Sequence, residues 1–464
     1  MSATTTTPTA GGAIRPARPV PTLAYGPRRD EILGITMGQS EQPLGVLHHV
    51  KDGPTECSQF RFDRRWLDRE HPFSPSPDLR CHPHGQWRTR PQGQGSPFFV
   101  ALADTQPDGF AQAILERALG EATLTTHPLA GLESRTLTSL CATHDLCRLG
   151  ALRIRPRNPA LAVSGRRIDL PIGAELDTMA RAIAAFERGE ADERQIQLLL
   201  FSATSLGGSR PKVCFVQDAQ KQNGGTLAVA RLPSVFDRYP VAKAEMLLGQ
   251  LAREAGIRVV DMALKNLCSA TVLITQRLDR DMDGGRKPYL SARSLLLAEE
   301  GEEPDWLDLL AVMRTCSKVF GADARQLWLR MLFMRLINAP VSLRKIGFLY
   351  SAPGRWRLAP ATALRPGMEP DHQPVISGAP GLGLRWDVDH LLRHSAAFEI
   401  PRDEARTLLQ RMVEVISRWK VAAVQYPVRM TTTDLASLEA AMENAQLRKA
   451  RAMVGSRRAG AVHQ

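Results

Sequence analysis

Nowhere does this 464-residue sequence hold an apolar run close to the roughly 18 residues that a membrane-spanning helix needs. Its longest candidates, 194–201 and 328–337, carry arginines or stop too early. A secretory signal is missing as well: the opening MSATTTTPTAGGAIRPARPVP has no compact apolar core and reads as a disordered lead-in. These absences make a cytoplasmic protein without membrane contact the expectation. A disulfide framework is also missing. Seven cysteines (57, 81, 141, 147, 214, 268 and 316) form an odd set without regular spacing, which fits reduced thiols. The tightest group is Cys141-Ala-Thr-His144-Asp-Leu-Cys147. On a helix, ligands three apart share a face and could approach one metal. No fourth ligand is evident, so two buried small thiols are the plainer reading and no metal site is assigned. Internal repeats and a convincing helix-turn-helix are equally lacking.

What is present suffices for two or three structural units with a sizeable core. The apolar fraction of 43% and charged fraction of 23% are ordinary for a globular protein. A formal net charge of +12 favours acidic partners, nucleic acid included. Much of it sits near the ends, in Arg15, Arg18, Arg28 and Arg29, and in Arg448, Lys449, Arg451, Arg457 and Arg458. Solvated basic tails and weak phosphate contact are both open readings.

Along the chain, residues 1–40 are rich in Thr, Pro, Gly and Arg and are expected to be unstructured. Short alternating segments follow, LGVLHHV and QFRFDRRWL among them, then Gly/Pro/His-rich loops at 71–96, FFVALA, a helix through 107–120 and the strand GALRIRPRNP. A helical stretch is expected over 174–200. SLGGSRPK, VCFVQD, a Gly-containing turn at 223–225 and TLAVARLP then supply the parts of an antiparallel nucleotide-covering sheet. Pro240 opens a helix whose Val241, Ala244, Leu247, Leu248 and Leu251 keep a 3.6-residue period, and Gly256 is placed to end it. The strand TVLITQRL follows. Beyond 290 helices are expected over 291–299, 304–319, 323–337, 388–396, 402–422 and 432–451. A β-rich half before an α-rich half is an α+β, two-lobed layout, which composition alone does not separate from other α+β folds.

The pattern SLGGSRPK at 205–212, then LAVARLPS, Glu245, LAREAGI and Arg277-Leu-Asp279-Arg280, resembles the HipA-like serine/threonine kinases, toxins of bacterial type II toxin–antitoxin pairs. The resemblance continues through GRKPYLSARSLL at 285–296, RLINAPVSLRKIGFL at 335–349, WRLAPA at 356–361 and LLRHSAAFEIPRDEARTLL at 391–409. It implies a two-lobed, protein-kinase-like fold. After the lead-in at 1–40 come an N-terminal α/β subdomain at 41–165, an N-lobe at 166–285, a mostly helical C-lobe at 286–440 and a basic tail at 441–464. It also implies ATP as cofactor and, as partner, an antitoxin that itself binds DNA. Nucleic acid would then be met only indirectly or through the basic tails.

Each matched residue has a physical reading. Gly207 and Gly208 lack side chains, so their N–H groups, with Ser209, could approach phosphates closely, or they could simply form a tight turn. Ser205 matches the family's autophosphorylated serine, though a plain turn serine reads equally well. Arg231 stands where the family has a phosphate-binding lysine, and its planar guanidinium is no geometric equal of an ammonium. Glu245 matches the helical glutamate that pairs with that lysine. Gln276 to Leu278 resemble the adenine-binding hinge, while Asp279 and Arg280 are expected to hold the lobes together.

The catalytic loop departs from the family. Where the resemblance implies Asn-x-Asp-Asp-His-x-Lys/Arg-Asn, the sequence reads Asn338-Ala339-Pro340-Val341-Ser342-Leu343-Arg344-Lys345. Pro340 occupies the place of the catalytic base and Lys345 that of a magnesium-binding asparagine. In Leu358-Ala359-Pro360-Ala361-Thr362-Ala363, Ala363 replaces the second metal ligand, an aspartate. All three positions are lost, which counts against Mg2+ and for a pseudokinase acting by binding. Asp371, His372, Asp387 and Asp389 are the nearby groups that could compensate. The alternative is an active kinase with substitute groups, phosphorylating a translation factor such as an aminoacyl-tRNA synthetase, as family members do.

Overall fold

The computed structural model describes residues 29–90, 95–120, 134–157, 170–202, 207–218, 225–281, 283–299, 302, 304–339, 342–352, 355–367 and 387–461. Its first unit is built on a five-stranded antiparallel sheet in the order β4-β3-β2-β1-β5. The strands are β1 (Arg29–Met37), β2 (Gln42–Asp52), β3 (Thr55–Phe62), β4 (Gln86–Arg90) and β5 (Leu152–Pro156). Alternation sets the inward face: Leu33, Ile35 and Met37 of β1 are buried, as are Phe60 and Phe62 of β3. The stretch expected to be unstructured through residue 40 therefore gives its last part to β1, because this alternation buries a full strand. Helices α1 (Arg64–Leu67), α2 (Val100–Ala103), α3 (Gly109–Gly120) and α4 (Arg135–Ala142) complete the unit.

Next come two helices, α5 (Leu176–Glu187) and α6 (Glu193–Ser202), where the sequence suggested one. The break falls at Gly189, whose φ of +76° ends α5, and Asp192 starts the next turn by accepting from the Gln195 N–H. They lead into an antiparallel sheet of order β6-β7-β9-β8, with β6 (Lys212–Gln217), β7 (Thr226–Arg231), β8 (Met262–Asn266) and β9 (Thr271–Gln276). Between β7 and β8, α7 (Val241–Glu254) lays Ala244, Leu247, Leu248 and Leu251 into the core.

The C-terminal half is mostly helical around a small sheet of order β10-β11-β12: β10 (Tyr289–Ser291), β11 (Gly347–Ala352) and β12 (Arg355–Leu358). Its helices are α8 (Ala292–Leu295), α9 (Trp306–Cys316), α10 (Phe320–Leu336), α11 (Val388–Arg393), α12 (Arg402–Ser417), α13 (Trp419–Val424), α14 (Thr432–Met442) and α15 (Ala445–Ala461). Helix α10 is apolar around most of its circumference and forms the centre of the lobe, with Leu327, Trp328, Leu332, Phe333 and Leu336 fully buried. The stretch expected as a basic tail from 441 is instead largely α15. Leu447 and Ala450 anchor that helix in the core, and Asn444 starts it by accepting from the Leu447 N–H. No helix among the described residues is long and apolar enough to cross a membrane.

Candidate functional site

The four-stranded sheet and the C-terminal half face each other across a cleft of about 820 Å³, counted to its open mouth. Gly207, Gly208, Lys212 and Arg231 line one side, the Gln276–Leu278 segment its edge, and Lys345, Thr362, Ala363 and Arg365 the opposite side. Strand pairing sets part of this arrangement, since Lys212 and Arg231 are direct partners across β6 and β7. A close backbone approach sets another part: a Cβ on Gly367 would meet the Asn338 carbonyl oxygen at 1.8 Å, so only glycine lets the two C-terminal segments bordering the cleft lie together.

The glycine loop is tied down from the first unit. Gly208 adopts φ of +94°, which favours glycine, and its N–H donates to Asp108 Oδ1 at 2.6 Å. Its carbonyl accepts from Phe110 N–H at 3.1 Å and from Lys212 Nζ at 3.0 Å. The expectation that this N–H stands free for a phosphate is thus corrected: a carboxylate already occupies it. Ser209 is exposed and does not line the cleft.

Charge is the cleft's dominant property. Glu245, buried on α7, reaches Arg231 at 3.5 Å and Arg365 at 3.3 Å. Arg210 forms a two-pronged pair with Asp237 at 2.6 Å, and Arg344 lies 3.8 Å from Asp108. Among the described residues no carboxylate pairs with Lys212. Burial and then the like charge of Arg231 push its ammonium down to about 7. Burial and then Arg365 push Lys345 down as well, although that side chain keeps access to solvent. Arg231 Nε is buried without a hydrogen-bond acceptor among the described residues.

A different construction holds the hinge. The Arg277 guanidinium donates to Asp279 at 2.8 and 2.7 Å, to the Cys147 carbonyl at 2.8 Å and to the Arg148 carbonyl at 3.0 Å. Arg280 donates to Asp279, Gly150, Leu146 and Arg148 oxygens, and Gly150 N–H completes the Asp279 carboxylate at 2.6 Å. Asp279 and Arg280 therefore do not mainly join the two lobes, as expected from sequence. They fasten the hinge to residues 146–150 of the first unit, whose carbonyls supply the acceptors.

The family of HipA-like C-terminal domains matches residues 204–419. That stretch of the chain is HipA-like. The HipA chain of the Shewanella oneidensis MR-1 toxin–antitoxin complex with HipB and operator DNA is similar in structure, with a TM-score of 0.60 at 15% identity, over 90% of this chain and 96% of that one. The α+β, two-lobed, kinase-like fold is thereby shared. The Helicobacter pylori proinflammatory kinase CtkA is also similar, with a TM-score of 0.33 at 12% identity, over 51% of this chain and 88% of that one. No curated protein matches.

Lys345 and Ala363 both line the cleft, whereas Pro340 and Ser205 lie outside the described residues, as do Asp371 and His372. Ala363 adopts φ of +54°, a left-handed conformation uncommon for alanine. Asp387 caps α11 by accepting from the His390 N–H at 2.9 Å, and both Asp387 and Asp389 pair with Lys449 of α15. These two carboxylates hold helices together, so neither serves the cleft. Cys141, His144 and Cys147 do not converge either. Burial pushes the Cys141 thiol up to about 12, while Cys147 packs with Cys214 of β6 in a separate small cluster. Among the described residues no three His, Cys, Asp or Glu side chains gather as metal ligands would. The cleft side chains near Lys345 offer ammonium, guanidinium and methyl groups rather than carboxylates, so they do not fit a magnesium ion. Sequence reasoning missed Lys212, Arg365 and Asp108. The lysine was visible at the end of SLGGSRPK, but Arg365 and Asp108 carry no local signal and meet the cleft only through folding.

Proposed function

We propose that this HipA-like protein is a pseudokinase, which keeps the cleft for an anionic ligand, ATP included, and acts by binding rather than by phosphotransfer. One observation carries the reading: Lys345 and Ala363 line the cleft at the positions where the family resemblance places metal ligands. A positioned general base contributes about 10² to 10⁴ in rate, and Pro340 can neither accept a proton nor orient a hydroxyl. Phosphoryl transfer depends further on neutralised phosphate charge and strict positioning. A nucleotide would lie with its phosphates against Lys212, Arg231 and Arg365 and its base at Gln276–Leu278. The partner proposed is a DNA-binding, antitoxin-like protein in the cytoplasm. The similarity in fold to a HipA chain solved with HipB and operator DNA supports that class.

The test is incubation of purified protein with labelled ATP and either magnesium or manganese, beside an active HipA as control, followed by mass mapping. No label is expected. Label on Ser205 or a neighbouring loop serine would sink the pseudokinase reading.

A second reading has one observation behind it. Asp108, supplied by the first unit, brings a carboxylate to the glycine loop and lies 3.8 Å from Arg344. If the protein is a kinase with a substitute base, Asp108→Asn abolishes whatever label appears.

A further inference from the structure

We infer that the cleft binds a triphosphate chain free of magnesium, with the protein's own cations in the metal's place. This rests on the pseudokinase reading of the cleft and goes beyond it in naming the ligand and its unusual response to metal. Besides Arg277, which Asp279 neutralises at the hinge, six cationic side chains line the cleft: Arg210, Lys212, Arg231, Arg344, Lys345 and Arg365. Three carboxylates answer them: Asp237 pairs with Arg210, Asp108 with Arg344, and Glu245 is shared between Arg231 and Arg365. Among the described residues the formal surplus is three positive charges. A structural ion-pair network would neutralise such a surplus with further carboxylates or carbonyls, because uncompensated like charges at short range oppose folding. Among the described residues they remain, and Arg231 Nε meets no acceptor there.

The ligand that satisfies this arrangement is a dense anion with several acceptor oxygens. Guanidinium groups bind such oxygens with strong, charge-assisted hydrogen bonds. Magnesium would work against the fit. A triphosphate with bound magnesium loses part of the charge that attracts it, and the metal would have to sit beside Lys345, where the described residues lining the cleft include no carboxylate to hold it. A conventional nucleotide-binding kinase gains affinity from the metal, so the sign of the magnesium effect is diagnostic. Asp108 opposes the ligand in a second way, since it occupies the Gly208 N–H and adds negative charge at the loop.

The triphosphate could belong to a nucleotide or to inorganic polyphosphate, and the experiment separates the two. Full-length protein is titrated calorimetrically with ATP and, separately, with inorganic triphosphate, in chelator and in excess magnesium at matched ionic strength. The expected result is binding in chelator that magnesium weakens by roughly tenfold or more. Tighter binding of ATP assigns a nucleotide, through the hinge; equal binding assigns the bare phosphate chain. Arg365→Met and Lys345→Met each weaken binding by roughly tenfold, whereas Asp108→Asn, which keeps an acceptor but removes the charge, strengthens it. That opposite sign guards against variants that merely misfold, as do their melting curves. Binding strengthened by magnesium, binding of neither probe, or unchanged affinity in both methionine variants would overturn the inference. Label transfer together with magnesium-weakened binding would remove the pseudokinase reading and leave this one. No label together with magnesium-strengthened binding would do the reverse.

Discussion

Two clusters of cations lie side by side in this molecule, one buried and one open to the cleft, and they are built on opposite principles. At the hinge, Arg277 and Arg280 surround Asp279, and carboxylate and main-chain oxygens take up their donors. The carboxylate is consequently held well below its usual range and Arg277 well above its own, by charges in contact that outweigh burial. In the cleft, Arg231 and Arg365 share Glu245, Asp108 and Glu245 act on Lys212 and Lys345 only from a distance, and burial leaves Lys212, Lys345 and Arg365 lowered. The first cluster is complete without a ligand and needs none. The second is incomplete, and what it lacks is negative charge. Buried arginine by itself therefore says little about function. The balance of carboxylates against cations is what separates these two clusters.

The hinge cluster offers the largest effect. Asp279→Asn leaves two buried guanidinium groups facing each other without an anion, and breaking such a pair costs about 3–5 kcal/mol. Chemical denaturation of the variant should show that loss in unfolding free energy. Because the cluster joins the hinge to residues 146–150, the first unit should also become protease-sensitive near β5. Loss of polyphosphate binding without loss of stability would break the comparison, since it would make the hinge cluster part of the site.

Much of the architecture was legible in the sequence, because the period-2 segments, the helical period of α7 and the order of motifs report local structure and the fold class. What was missed was missed for physical reasons. The strand β1 lies behind a Thr/Pro-rich lead-in whose composition masked the alternation in DEILGITM. The break between α5 and α6 depends on Gly189 adopting positive φ, which an isolated glycine in a helical pattern does not announce. The single helix expected over 432–451 is two, α14 and α15, and the rest of α15 looked like a tail because basic residues dominate it, while only a few side chains such as Leu447 and Ala450 hold it down. At the site, motif positions such as Gly207, Arg231 and Ala363 were readable one by one. Their electrostatic sum was not, since Asp108 and Arg365 reach the cleft from elements far apart in sequence.

A smaller effect sharpens the contrast through pH. Burial first, then Arg231 and Arg365, push the Lys212 ammonium down to about 7 from its ordinary 10.5, with Asp108 and Glu245 opposing. Between those values the unfolded chain binds more protons than the folded one. This group's contribution to stability therefore rises with pH from 7 towards 10.5 and is flat below 7, with a slope of up to about 1.4 kcal/mol per pH unit. Lys212→Met should remove that slope, measured as the difference in unfolding free energy between variant and parent across the window. Saturating triphosphate should flatten it too, because a bound anion returns the proton to Lys212. The hinge cluster contributes no slope here, as Asp279 and Arg277 titrate far from neutrality. Parallel pH profiles for variant and parent would mean that the cleft is as self-sufficient as the hinge.

The smallest predicted effect concerns the backbone beneath that charge. Ala363 sits at φ of +54°, where an L-residue with a Cβ is strained by about 1–2 kcal/mol. Glycine relieves that strain but adds about 0.5–1 kcal/mol of unfolded-chain entropy. Ala363→Gly should therefore stabilise the protein by roughly 0.5–1 kcal/mol, a rise visible in thermal melts. Because the methyl group carries no charge and makes no hydrogen bond, triphosphate affinity should stay within a factor of two or so of the parent. A stabilised variant with unchanged binding would show that strain in this turn is separable from the charge of the cleft. A variant that binds less well would show that the left-handed turn holds Arg365, two residues on, in its place beside Glu245.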